Sequence, residues 1–303
     1  MGHLVIAMLL CFLCASYHLN SARARPMDVG GSPSGNTAGS PAPGSTFLAN
    51  HAAGWSTILP QPYYGTRAKI SVWGSSPENS QESGAGITIS TGSYKESFNC
   101  IEAGFEVFPD LYNDSDVHFF TYWTRDGFES TGCYNLRCPG FVPASGAALV
   151  PGQAVTPAST YGGEDRFITI NLHMDPNTGD WVLYRDELNT PSLLGHFPKE
   201  LFSKLNGGGG DVGWFGFVHY RKTESSPPMG SGHFPAEGAR KAAYFKNIQL
   251  FDSKANAYDP KPSELTRVFT RQDCYNVSEL FHAKDDGVMF YYGGPRGCTS
   301  RRV

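Results

Sequence analysis

Two carboxylates in Ile101–Phe108 have the type and spacing for acid–base work. Apolar residues alternating with polar ones predict a strand there, and strand side chains point to opposite faces in turn. Ile101, Ala103, Phe105 and Val107 then share one face, and Glu102, Gly104 and Glu106 share the other. A carboxylic acid beside a carboxylate can donate one proton while accepting another, as hydrolysis of a glycosidic or amide bond requires. Four residues of extended chain put the two backbones about 13 Å apart. Retaining glycosidases need carboxyl groups about 5–5.5 Å apart, so a glycosidase fits poorly, and Gly104 stands where laminarinase-like enzymes carry a further acid. The plain alternative is a solvated outer face.

Other patterns are weaker. Ser231 and His233 lie in Gly230–His233 (GSGH), but no G-x-S-x-G turn surrounds the serine. His173 and Asp175 share a strand face at the strand's end. There is neither an H-E-x-x-H motif nor a P-loop, so no metal ion and no cofactor is expected.

The elements that must position these residues read as strands. The chain has 303 residues, 40% hydrophobic and 17% charged, with 35 Gly and 21 Pro. That is too apolar for a disordered chain and too rich in turn residues for a helical one. Lys69–Trp73, Gly86–Ser90, Ile101–Phe108, His118–Thr124, Arg166–Leu172, Trp181–Arg185, Val212–Tyr220 and Ala242–Phe251 are predicted strands, separated by Gly, Asn, Asp and Pro clusters. Only Pro198–Leu205 has helical spacing. The expected fold is all-β, an antiparallel sandwich or barrel. The net charge of −4 argues against a nucleic-acid partner, and Arg301 and Arg302 read as a frayed tail.

Leu4–Ala15 is an apolar run too short to span a membrane and matches the core of a signal peptide, with the cut expected after Ala24. The mature chain is thus expected outside the cell, with no membrane partner. Residues 25–58, rich in Gly, Ser, Pro and Ala at their start, are read as a linker, and 59–303 as the folded domain. Five cysteines remain beyond the signal peptide: Cys100, Cys133, Cys138, Cys274 and Cys298. An oxidising compartment favours disulfides, and proximity favours Cys133–Cys138 and Cys274–Cys298, with Cys100 left over. A four-cysteine zinc site is the alternative. Asn113 and Asn276 head N-x-S tripeptides that can accept a glycan.

Longer words in the chain resemble the neprosin family of plants: Asn99–Phe105 (NCIEAGF), Pro109–Tyr112 (PDLY), Phe120–Thr124 (FTYWT), Thr131–Cys138 (TGCYNLRC), Met229–Pro235 (MGSGHFP), Ala242–Gln249 (AAYFKNIQ) and Tyr291–Pro295 (YYGGP). The resemblance runs from about Tyr64 to Cys298. It implies a monomeric, secreted glutamic peptidase on an antiparallel β sandwich of two sheets, cleaving proline-containing peptides after proline in acid. One glutamate activates water while a second, protonated, donates to the scissile carbonyl. The first family glutamate falls on Glu102, with the family's following tryptophan replaced by Phe105. The second belongs in a W-G-G-E-V segment that here reads Trp214–Val218 (WFGFV), so Phe217 stands in its place and can neither give nor take a proton. A family glutamine is likewise replaced by Pro228. His219, on the same strand face, and Glu224, in the next loop, are the candidate surrogates. The two short-range cysteine pairs match the family's bridges. Family members commonly carry an N-terminal activation domain, and only a short linker is expected in that place here. The resemblance therefore implies a peptidase of weakened or lost activity, the alternative being a module that binds proline-rich peptides or cell-wall glycoproteins without cutting them.

Overall fold

The computed structural model describes residues 48–92 and 97–298. The expected signal peptide, the linker as far as residue 47 and the two terminal arginines lie outside the described residues. In chain order the elements begin with β1 (Leu48–Thr57), β2 (Gly65–Ser71), β3 (Glu82–Thr91), β4 (Asn99–Val107) and the single-turn helix α1 (Pro109–Tyr112). Next come β5 (His118–Thr124), β6 (Cys133–Tyr134), β7 (Val142–Pro143), β8 (Phe167–Met174), β9 (Trp181–Arg185) and β10 (Ser192–Phe197). The remainder are β11 (Asp211–Arg221), β12 (Ala243–Phe251), β13 (Ala257–Tyr258), β14 (Leu265–Phe269), β15 (Asn276–Val277), β16 (Phe281–Ala283) and β17 (Gly287–Gly293).

They form two antiparallel sheets packed as a sandwich. The first has the order β14-β1-β11-β3-β4-β5-β6. The second runs β15-β17-β12-β2-β8-β9-β10-β7, with β13 on β12 and β16 on β17. Alternation explains the packing. Ile87, Ile89, Ile101, Ala103, Trp214 and Val218 of the first sheet bury against Ile70, Ile170, Leu172, Phe245 and Phe290 of the second. Trp214 ties the layers together by donating from Nε1 to Thr66 Oγ1 at 2.9 Å, which satisfies its buried N–H. Met229 and Tyr292 close over Gly216 of β11, where a Cβ would collide with the Tyr292 ring. Words of the family resemblance thus fix the strand that carries residue 217.

Two expectations fail. Leu48–Thr57, assigned to the linker, is a strand, and it pairs with both β11 and β14. Its alanines hide its character in the sequence, yet Ala52 and Ala53 are fully buried because small residues fit where sheets and rings crowd. Pro198–Leu205 forms only a 3-10 turn at Lys199–Leu201. The chain then extends through Phe202 (φ −114°, ψ 140°), burying Phe202 and Leu205.

Cys133–Cys138 and Cys274–Cys298 are disulfides with Cα separations of 5.9 and 5.7 Å, which overturns the zinc alternative. Cys100, left over by that pairing, is fully buried on β4, with its sulfur 3.9 Å from Glu102 Oε1. The Cys274–Cys298 bridge closes a loop of 24 residues onto the core residue Tyr275. Replacing Cys274 and Cys298 by Ser is expected to lower the unfolding free energy by about 3 kcal/mol, read as a shift in a urea melt.

Candidate active site

The site lies on the face of the first sheet turned away from the second. Antiparallel register sets Glu102 opposite Thr88 and Tyr122, and Glu106 opposite Gly84 and His118. On the far side of β3, Gly84 faces Phe217 and Glu82 faces His219. Glu82, Glu102, Glu106, Phe217 and His219 therefore share one face. The structure does not support a solvated outer face: each of the three glutamates is only 1% exposed. Phe120, Tyr122, Phe128, Tyr134, Phe215 and Phe217 make a second apolar cluster around them.

Glu82 escapes the sequence reading because it lies four residues before the predicted strand Gly86–Ser90, outside the stretch whose alternation was read. Extending that strand back to its true start puts Glu82, Gly84, Gly86 and Thr88 on one face. His219 Nδ1 donates to Glu82 Oε2 at 2.8 Å.

Glu106 is held from the other side by a residue the sequence reading noticed only as part of a word. Tyr112 donates from its hydroxyl to Glu106 Oε1 at 2.6 Å. The Tyr112 ring stacks on His118, with centroids 3.8 Å apart, and its hydroxyl accepts from Asn135 Nδ2 at 3.0 Å. Proline at the start of α1 and left-handed Asn113 (φ 65°) at its end confine the helix to one turn, which sets Tyr112 beneath β4.

Burial is the main force on the carboxyl groups. It pushes Glu102 well above the usual carboxylate range, and the charge of Glu82 adds to the effect. Glu106 is pushed up the same way, by burial first and then by Glu82, against a smaller downward pull from the Tyr112 hydroxyl. A buried carboxyl without a countercharge holds its proton.

Phe217 stands where the resemblance places a glutamate. Its ring lies over Gly84, where an added Cβ would come within 2.5 Å of Cζ, and meets Phe120 edge-on at 5.9 Å. Phe215 likewise folds over Gly213 and Gly54. The space above the strands is thus filled by phenyl rings. Among the other candidates, Glu224 is held in its loop by the Ser80 hydroxyl at 2.8 Å. Ser231 accepts from the backbone of His233, whose ring turns instead to Glu237 at 2.9 Å and stacks on Tyr161. His173 pairs with Asn171 and lies between Tyr184 and Phe251, with no bond to Asp175. Neither pair is assembled for nucleophilic attack. Asn113 is exposed, whereas Asn276 is half-buried on β15.

A two-sheet antiparallel sandwich with acid groups on the open face of one sheet is the framework of a peptidase-like domain. The chain belongs to the neprosin family, whose model, described as Neprosin, matches residues 79–295. Two solved structures are similar in fold. A scytalidoglutamic peptidase with a peptide-based transition-state analogue is 9% identical with a TM-score of 0.42, covering 82% of this chain and 100% of that one. SCP-B, a member of the eqolisin family of peptidases in complex with the tripeptide Ala-Ile-His, is 9% identical with a TM-score of 0.41, covering 81% and 98%.

The buried acids give the stability of the fold a definite pH dependence. A carboxyl whose folded pKa lies above its unfolded value contributes stability that is full below about 4.5 and is lost as pH rises through the folded pKa. Glu102 and Glu106 both act this way. Asp211, pushed up to about 6 by burial, adds to them. His51, pushed down to about 4 by burial and by Arg271, works in the opposite sense, losing stability as pH falls below 6.5. Glu102→Gln removes one buried titrating acid while keeping its shape. Its melting temperature should therefore match the native chain's near pH 4 and exceed it at pH 7. An offset equal at both pH values would show that Glu102 does not titrate with folding.

Proposed function

We propose that this chain is a secreted glutamic-type endopeptidase domain that takes proline-containing peptides in acid and turns them over weakly, because Phe217 occupies the place of one member of the acid–base pair. The observation that carries this reading is the position of the Phe217 ring over Gly84 on the carboxyl-bearing face. Glu102 is the surviving family glutamate. Its burial and the nearby Glu82 charge favour the protonated form, which suits it to donate to a scissile carbonyl. The role lost at 217 is then the base that activates water.

A second reading is favoured by the aromatic lining. Phe120, Phe215 and Phe217 line the carboxyl-bearing face, and aromatic side chains hold proline rings, so a proline-rich peptide that displaces the rings from one another is held there with little or no cleavage. The disulfides support an extracellular setting for either reading.

Phe217→Glu should raise kcat on a proline-containing peptide in acid by about 10²–10⁴-fold, the value of one positioned acid or base. Adding Glu102→Gln to that variant should abolish the gain. If Phe217→Glu is no faster and the native chain also fails to bind the peptide, the peptidase reading is wrong. Unchanged turnover with tight peptide binding selects the binding module.

A further inference from the structure

We infer that the chain carries a second binding site, away from the glutamate face: a cationic groove at one end of the sandwich that takes an organic dicarboxylate, two acid groups joined by an apolar span. The site stands whether or not the glutamate face cleaves peptides.

Alternation puts Ile168, Ile170 and Leu172 of β8, and Trp181 and Leu183 of β9, on the inner face of the second sheet, where all are buried. The same period carried outward along each chain brings Arg166 and Arg185 to that inner face. The core therefore ends here in two guanidiniums instead of further apolar side chains. Register pairs Arg185 with Ile170, and Arg166 lies four residues before Ile170. At a rise near 3.3 Å per residue and a strand spacing near 4.8 Å, the two backbones stand about 14 Å apart. The cations thus occupy two stations along the groove, not one.

Hydrogen bonds fix this end of the molecule. The Arg166 N–H donates to Ser159 Oγ at 2.8 Å, and the Arg166 carbonyl accepts from Ser159 Oγ at 3.0 Å and from the Val72 N–H at 2.8 Å. The roof is the segment 148–157, which is laced to the start of β5. Gly152 donates to the Phe119 carbonyl at 2.7 Å, Phe119 to the Gln153 carbonyl at 2.9 Å, and Val155 to the Val117 carbonyl at 2.6 Å. The Ser159 N–H then reaches the Val72 carbonyl at 2.8 Å, so the roof is tied to both sheets. Beneath it lies a groove of about 410 Å³, a volume within the range of small-molecule sites. Val72, Leu149, Val155 and Pro157 give it apolar wall, and Arg166 and Arg185 line it. Among the described residues neither Asp nor Glu does.

The cations are neutralised only in part. Arg166 holds Glu164 through Nη2 at 3.0 Å, and Arg185 holds Glu187 through Nε. Both glutamates lie outside the groove lining, and Glu187 is further committed by accepting from the Thr169 N–H at 2.8 Å. The two terminal nitrogens of Arg185 make no hydrogen bond to a described residue. A guanidinium presents its donors as a planar fork that fits a carboxylate. With its side chain 26% exposed, Arg185 is partly shielded from water, which strengthens its pull on an anion. Donors at two stations with apolar wall between them match a hydrocarbon chain bearing an acid at each end. A lone inorganic anion engages one station and leaves the apolar wall uncovered.

The test uses the purified full chain and suberate, a straight-chain dicarboxylate, followed by saturation-transfer NMR and calorimetry near pH 7, where both acid groups are ionised. Suberate should bind, and its binding should weaken as salt is raised. Neither the neutral diamide suberamide nor sulfate should displace it at equal concentration. Arg166→Gln and Arg185→Gln should each weaken binding by about 10–100-fold, the worth of a charged hydrogen bond. Ala148→Glu sets an acid at an exposed position of the groove wall and should weaken binding without touching the core. Thermal melts show whether Arg185→Gln folds once Glu187 has lost its partner; if it does not, Arg166→Gln and Ala148→Glu decide. Glu102→Gln and Phe217→Glu should bind suberate as the native chain does, so a failed peptidase reading leaves this site untouched. The inference is overturned if suberate does not bind, if suberamide or sulfate displaces it at equal concentration, or if Arg166→Gln and Ala148→Glu bind it unchanged.

Discussion

Three carboxyl groups buried on one face of a sheet cannot all be charged. In a dry site their mutual repulsion and desolvation would exceed the stability of an ordinary domain. The resolution is a division of protons. Burial and the nearness of Glu82 favour the protonated form of Glu102 and Glu106, while Glu82 has His219 Nδ1 at 2.8 Å. The antiparallel register makes this division possible by aligning Glu82 with His219 and Glu106 with Gly84. A slip of one residue would turn these acids into the apolar core between the sheets.

The same register explains how a phenylalanine is accommodated at position 217. A glutamate there would look across glycine towards Glu106. The phenyl ring uses that vacant strip instead, lying over Gly84 and edge-on to Phe120. Replacing an acid by an aromatic group also takes one ionisable group away from the face, which lowers the cost of burying Glu82, Glu102 and Glu106 there. The two features are physically coupled.

Much of this was legible in residues close together in the chain. His118–Thr124 and Trp181–Arg185 are strands with the bounds that alternation predicts. Glu102 and Glu106 do share a face, and both short-range disulfides form. What alternation cannot supply is the identity of neighbours across the sheet. Glu82 and His219 are separated by 137 residues and meet only because β3 pairs with β11. Tyr112 and Asn135 belong to words the resemblance marked, but nothing local reveals that one bonds the other over Glu106. The burial of Glu102 and Glu106 was hidden for the same reason, since the covering rings come from β5, β6 and β11.

β1 lies in the interior of the first sheet, with β11 on one side and β14 on the other. Its partners come from residues 213–221 and 265–269, the far end of the domain. Among the described strands, the first to leave the ribosome must therefore wait for residues 213–221 and then 265–269 before both of its edges are paired. Such long loop closures make for slow folding. Until then β1 offers two unpaired edges to other chains, a standing invitation to aggregate. A fold of this connectivity depends on being kept apart from its copies during synthesis.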